Sequence, residues 1–240
     1  MIGLGTIVNV LAVISGGFIG MFFNDGLKQR FQDILMKALG LSTLFIGVSG
    51  ALKGMFAVQD SGLEITGTMT MIISLVLGAL IGEWIDIEKR MEHFGVWIKS
   101  IVKGKDNPRF VEGFVTTSLV ICVGAMAVVG SLQDGLTGDT SMLFAKSALD
   151  FVVVLIFASA FGRGAMLAAI PLGLYQGAIT LFARLIEPIL TEQVVADLSF
   201  VGSILIFGVG INLAFGNKIK VGNMLPSLVI VVIYSLLFNR

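Results

Sequence analysis

Lys146 and Asp150 lie four residues apart inside the apolar run 143–161. Four residues is about one helical turn, so on a helix the two side chains share a face. An ammonium and a carboxylate at that spacing can neutralise each other, hold a cation or pass a proton. An ionisable group inside such a run must face protein or water rather than lipid, which makes it a functional candidate. From the residues, two readings stay open. One is a cation or proton site, or a gate whose ion pair breaks during transport. The other is a structural pair in which Lys146 snorkels outward.

Other polar residues could serve the same chemistry. The stretch GSLQDGLTGDTSMLFAKSALDF (130–151) carries Asp134 and Asp139 in a Gly-rich turn. Asp134-Gly135 is a turn signal, and Asp139 or Thr140 is placed to cap the helix that follows. With Asp60 and Glu64 these carboxylates could also form an acidic outer mouth that concentrates cations. Asn9, Gln176, Asn212 and Asn223 fall within or at the ends of apolar runs. Each amide can coordinate an ion through its carbonyl oxygen or bond a neighbouring helix. Tyr175 and Gln176 follow Pro171, whose missing N–H frees a carbonyl one turn back. Pro226 with Asn223 forms a similar pair. The candidate ion or substrate path is therefore Asp150, Lys146, Asp134, Asp139, Tyr175, Gln176, Asn212 and Asn9, with helix breaks at Pro171 and Pro226. Gly16-x-x-x-Gly20 and Gly78-x-x-x-Gly82 are small-residue motifs that permit close helix contact.

The elements that must position these residues are set by composition. Of 240 residues, 56% are hydrophobic and 13% charged, and 30 are glycine. Soluble domains carry about 25% charged residues, so lipid is the expected solvent. Net charge is zero, which points away from nucleic acid. One cysteine, Cys122, and one histidine, His93, make neither an internal disulfide nor a typical zinc site. No phosphate-binding glycine motif, metal-binding His–Glu helix or Ser/His/Asp set is present, so neither enzyme activity nor a cofactor is expected.

A membrane span needs about 20 apolar residues. Eight runs qualify: 2–23, 34–57, 66–85, 110–130, 143–161, 164–186, 197–216 and 221–239. Only Gly162-Arg163-Gly164 separates the fifth from the sixth, so a broken long helix would reduce the count to seven. The first run has no basic start and reads as a retained span rather than a leader. The expectation is all-α: one integral membrane bundle over 1–240. The polar stretch 86–109 places Ile87, Met91, Phe94, Ile98 and Ile101 on one face, which predicts an amphipathic helix over about 86–104. Such a helix either lies in the headgroup region or packs on the bundle as a solvated helix. With eight spans, twelve of the sixteen Lys and Arg fall on the side of that helix, leaving Lys53, Lys146, Arg184 and Arg240 opposite. The basic side is cytoplasmic by the positive-inside rule.

Internal echoes are present. QDSGL (59–63) lines up with QDGL (133–136) within the longer segments 42–82 and 117–162, which suggests a duplicated helical hairpin. STLFIGVSGAL (42–52) lines up more faintly with SILIFGVGINL (203–213), an echo extending over 203–239. Residues 14–22 line up with 174–182. Relating spans one to three with six to eight would invert their topology, as in many alternating-access transporters.

The run 130–151, followed by FASAFGRGAMLAAIPLGLYQGAITLFA, resembles the signature stretch of the YdfK/YqgA-like bacterial membrane proteins. GGFIG in the first span, GVGINL in the seventh and NMLPSLVI near the end carry the same resemblance. It implies a bacterial inner-membrane protein of seven or eight spans and a transport role; it supplies no substrate and no site. The combined reading is a transporter or channel for an ion or small solute. The alternative is a non-transporting membrane sensor or assembly partner. The expected partners are the lipid bilayer and an unspecified ion or solute, and a homo-oligomer is compatible with this.

Overall fold

A computed structural model gives the fold and describes residues 2–24, 29–59, 62–101, 109–122 and 125–238. Asp60, Lys28, Lys103, Lys105 and Arg240 lie outside the described residues. The chain order is α1 (Leu4–Asn24), α2 (Gln29–Met55), β1 (Phe56–Gln59), β2 (Gly62–Ile65), α3 (Thr68–Ile85) and α4 (Ile87–Ile101). There follow α5 (Phe110–Cys122), α6 (Ala125–Thr137), α7 (Ser141–Phe161), α8 (Arg163–Leu167), α9 (Ala169–Leu181) and α10 (Ala183–Ile186). The last elements are α11 (Glu192–Phe215), a 3-10 turn (Val221–Met224) and α12 (Ser227–Phe238).

Among the described residues six helical segments are long and apolar enough to cross a membrane, or seven if the bent pair α5–α6 counts as one. The expectation of eight is not reproduced: α2 covers the expected 34–57 run only to Met55, where β1 takes over, and is not among the six. The expected straight span 110–130 is instead broken, with α5 and α6 meeting at a 62° bend. The fifth and sixth runs separate at Gly162, whose φ of 69° ends α7 where a side chain would be strained. The chain reverses there.

The chain divides into two compact units. The first comprises Met1–Met36, Arg90–Cys122 and Met126–Pro188. Its centre is α1, whose composition is inverted relative to a soluble helix. Ile7, Leu11, Ile14, Phe18 and Phe22 recur at three- and four-residue steps and are exposed. Thr6, Asn9 and Val13 are buried on the other face, where Gly5, Gly16 and Gly20 press on α7. Lipid solvates the large apolar side chains, and small or polar ones let helices approach. Gly5 meets Leu143, Gly16 meets Phe151 and Gly20 meets Leu155, so α1 and α7 run parallel. Gly17 meets Met166 and Gly173 meets Val10, so the α8–α9 segment runs antiparallel to α1. Ile98 of α4 packs with Phe110 and Phe114 of α5, while Trp97 stacks on Phe94 and stays 57% exposed. The amphipathic helix thus forms over Ile87–Ile101 within the expected stretch and sets two apolar residues, Ile98 and Phe94, against α5.

The second unit comprises Lys37–Lys89, Val123–Ala125 and Ile189–Arg240. In α3, Thr70, Ser74, Gly78 and Gly82 are buried at four-residue steps. Met69, Ile72, Val76, Leu80 and Trp84 are exposed. Gly78 abuts Ser227 and Gly82 abuts Asn223, which sets α3 antiparallel to α12 and the 3-10 turn. Gly40, Gly47 and Gly54 likewise meet Ala214, Phe207 and Phe200, which sets α2 antiparallel to α11. A short antiparallel hairpin, β1 with β2, joins α2 to α3 and departs from the expected all-α class, pairing Phe56 with Ile65 and Gln59 with Gly62. The alternation in FAVQ and GLEI around Asp60-Ser61 suits a strand pair.

The two QD segments therefore differ. The first contributes Gln59 to β1 and Gly62 and Leu63 to β2. The second lies inside α6, where Asp134 is buried. The proposed duplicated hairpin is not reproduced, because long-range packing decides the conformation of so short a match.

Candidate functional site

Within the first unit, α1 carries a polar ladder that starts at its N-terminus. The amides of Gly3 and Gly5 donate to Asp134 Oδ1 and Oδ2, each at 3.0 Å. The first amides of a helix have no intrahelical partner. Here a carboxylate from α6 satisfies two of them and complements the positive end of the α1 dipole. Asp134 is 0% exposed and both oxygens are occupied. It is therefore a cap and not part of an exposed acidic mouth. Replacing Asp134 by alanine is expected to cost about 1–3 kcal/mol by leaving two amides unpaired. Hydrogen exchange should accelerate at Gly3 and Gly5 before the rest of α1; unchanged protection there would refute the capping role.

One step further, Thr6 Oγ1 lies 3.4 Å from Thr180 Oγ1 of α9, which donates to the Ser131 carbonyl of α6 at 3.1 Å. Asn9 follows one turn on. Its Nδ2 donates to Asp150 Oδ2 at 3.0 Å and to Gln176 Oε1 at 3.3 Å. Asp150 Oδ2 also accepts from Lys146 Nζ, closing the ion pair foreseen by the four-residue spacing. Lys146 Nζ donates in addition to the Ile121 carbonyl at 2.9 Å. Ile121 is the penultimate residue of α5, in the last turn, where helix carbonyls look outside the helix for donors. The ammonium thus sits at the negative end of a helix dipole and against a carboxylate at once.

These groups are buried. Asn9 and Gln176 are 0% exposed, and Lys146 and Asp150 are each 6% exposed. Burying a charge is expensive unless it is paired and hydrogen-bonded, and this pair is both. The neighbouring amides are less well served: Asn9 Oδ1 and Gln176 Nε2 have no partner among the described residues. The orientation of Asn9 follows from the carboxylate, since its opposite setting would turn an oxygen toward Asp150.

The structure thus joins Asn9, Lys146, Asp150 and Gln176 into one chain of contacts, with Asp134 at the head of the same helix. Cys122 lies within electrostatic reach of the pair, and Tyr175 within reach of Cys122. The remaining candidates stand elsewhere. Asp139 is exposed and accepts from the Ser141 amide and hydroxyl at 3.0 and 2.7 Å. Those donations hold its carboxyl below the usual range and start α7, which is the foreseen capping role. Glu64 is exposed on β2. Pro171 sits in the first turn of α9, just after the helix breaks at Ala168, where its missing N–H costs little. In the second unit, Asn212 accepts from the Lys218 and Ile219 amides and donates to the Ile219 carbonyl, tying down a loop. Pro226 precedes α12, and its carbonyl accepts from Val229 and Ile230. Asn223 accepts from the Glu88 amide and donates to Glu83.

Sequence reasoning missed Thr6, Thr180, Ser131 and the Ile121 carbonyl. The threonines were detectable: Thr6 precedes Asn9 by three residues and Thr180 follows Gln176 by four, so each pair shares a helical face. A backbone carbonyl in the last turn of a helix leaves no sequence signal of its own.

A family described as "Protein of unknown function (DUF554)" matches residues 4–236. The chain belongs to this family. It is similar to "Uncharacterized membrane protein YdfK" of Bacillus subtilis, with 33% identity over 94% of this chain and 93% of the relative. It is also similar to "Uncharacterized protein YqgA" of Escherichia coli, with 30% identity over 95% of this chain and 94% of the relative. No solved structure matches the chain. The resemblance read from the motifs is thus a family membership, and this DUF554 chain is a membrane protein by that kinship and by its apolar helices. The polar ladder from Gly5 onward falls within the matched region, and only its first amide, Gly3, precedes it.

Proposed function

We propose that this protein is a transporter or channel for an ion or small solute in the bacterial cytoplasmic membrane, and not an enzyme. The observation that carries the proposal is the buried chain Gln176–Asn9–Asp150–Lys146 inside spans α1, α7 and α9. Intramembrane charge is costly, and a purely structural contact would be served more cheaply by apolar packing. The ladder supports a path. From Gly3 to Asn9 it follows α1 inward for about 9 Å at 1.5 Å per residue. At its inner end it meets the broken span α5–α6, and broken helices at membrane depth are tolerated where backbone lines a cavity or a site.

Repeat packing supports the inverted-repeat part of the reading. In the first unit α1 packs antiparallel on the α8–α9 segment, its echo partner in sequence. In the second, α2 packs antiparallel on α11, and α3 on α12. Opposed direction of equivalent spans is what inverted topology requires. On this reading α4 and the basic 86–109 stretch face the cytoplasm, and the bilayer, with a second copy of the chain as an optional neighbour, surrounds the bundle. The alternative, a sensor or assembly partner, rests on α4, where Val96, Trp97 and Ile101 stay exposed. An interfacial helix accounts for the same exposure.

The test is solute flux in proteoliposomes, comparing the native protein with Asp150→Asn. Flux that is present in the first and lost in the second is the expected result.

A further inference from the structure

The surroundings of the Lys146 ammonium are those of a cation site. It is held by the carboxylate of Asp150 and by the Ile121 carbonyl at the C-terminal end of α5. Beside them stands Asn9, 0% exposed, whose Nδ2 is 3.0 Å from Asp150 Oδ2 and whose Oδ1 has no partner among the described residues. A buried amide oxygen without a donor is costly to keep, and a cation would satisfy it. The donor set is one carboxylate and neutral oxygens. Among the described residues no group of three or more His, Cys, Asp or Glu could hold a metal ion, which disfavours a multivalent or thiophilic ion. One negative charge matches one positive charge.

We propose that Asp150 and the Ile121 carbonyl, which hold the ammonium, together with Asn9 Oδ1, recruited when the ion binds, form a binding site for one small monovalent cation, an alkali-metal ion or ammonium. The Lys146 ammonium is the tethered occupant that the cation displaces. The proposal deepens the transport reading and rests on it. It gives the i, i+4 spacing a purpose: Lys146 is anchored one turn from the carboxylate, so its side chain can leave the site and return while the helix stays in place. The empty state stays neutral because the tethered ammonium fills it, which avoids exposing a bare carboxylate at membrane depth.

The experiment is thermal unfolding in detergent with lithium, sodium, potassium or ammonium chloride, each against choline chloride at equal ionic strength. The proteins are native, Lys146→Ala, Lys146→Gln, Asp150→Asn and Asn9→Ser. A ligand that binds only the folded state raises the midpoint. One cation should raise the native midpoint in a saturable way. In both Lys146 variants its apparent affinity should be about tenfold tighter or more, because the competing occupant is gone. If Lys146→Ala folds only when that cation is present, the site is equally supported. Asn9→Ser should weaken the effect and Asp150→Asn abolish it. A shift that persists in Asp150→Asn, or no shift in native protein and both Lys146 variants, would overturn the site. The two readings fail separately. A specific shift without flux removes transport and keeps the site. Asp150-dependent flux of an anion or neutral solute, without any cation shift, removes the site and keeps transport.

Discussion

Replacing Lys146 alone by methionine, in choline buffer, is expected to destabilise the folded protein by about 3–5 kcal/mol, because it leaves the Asp150 carboxylate buried and unpaired. Replacing Asp150 alone by leucine should cost a similar amount, since the Lys146 ammonium then keeps only the Ile121 carbonyl. The double replacement should cost less than either single one. Apolar side chains of similar volume need neither charge partner nor solvation, and substitutions of this kind are often neutral. The sum of the single costs less the double cost then defines a coupling of at least about 3 kcal/mol between the two sites. Unfolding midpoints of the four proteins give it directly. Additive costs would mean that the two charges do not depend on each other, which the shared Oδ2 contact does not allow.

The second large effect concerns close helix approach. Substituting alanine at Gly20 should disrupt the α1–α7 contact, because the new methyl would overlap the Leu155 carbonyl and stand 2.9 Å from Ala158 Cβ. Gly82→Ala should do the same against Asn223, where the obstruction is backbone and cannot rotate away. Overpacking of this kind costs about 1–3 kcal/mol or more. Gly177→Ala is the internal control. Nothing lies within 4 Å of a methyl there, and the residue is helical. Alanine at that position should gain up to about 1 kcal/mol from helix propensity. Midpoints that fall at positions 20 and 82 and hold or rise at 177 would confirm that the glycines act by contact rather than by flexibility.

These effects show which parts of the molecule a sequence can reveal. The positions of α1, α3, α7 and α11 follow from apolar length, because lipid rewards continuous runs and the backbone must satisfy itself. The Lys146–Asp150 pair was legible because its geometry is local to one helix. So was the cap at Asp139, whose partner is two residues away. The link from Asn9 to Asp150 was not, since it spans 141 positions and depends on which helix faces which. Asp134 is the clearest case. Its sequence says turn, but distant packing makes it a buried cap for α1. The 62° bend between α5 and α6 lacks a proline, and Gly124, between them in sequence, does not stand out in a chain with 30 glycines. Asn212 illustrates the reverse. An amide at the end of a span looks like an ion ligand, yet its oxygen takes two amide donors and its nitrogen a carbonyl, all from one loop.

The measurement that tests the account most directly is flux into proteoliposomes holding the purified protein. Native, Asp150→Asn and Lys146→Gln proteins would be matched for reconstituted amount and orientation and supplied with sodium, potassium, ammonium, chloride and a panel of small metabolites. The account predicts saturable uptake of one solute by the native protein, none by Asp150→Asn, and an altered half-saturation concentration in Lys146→Gln. Uptake by none of them, or uptake that Asp150→Asn supports as well as native protein does, would contradict it and leave the buried chain as structural reinforcement.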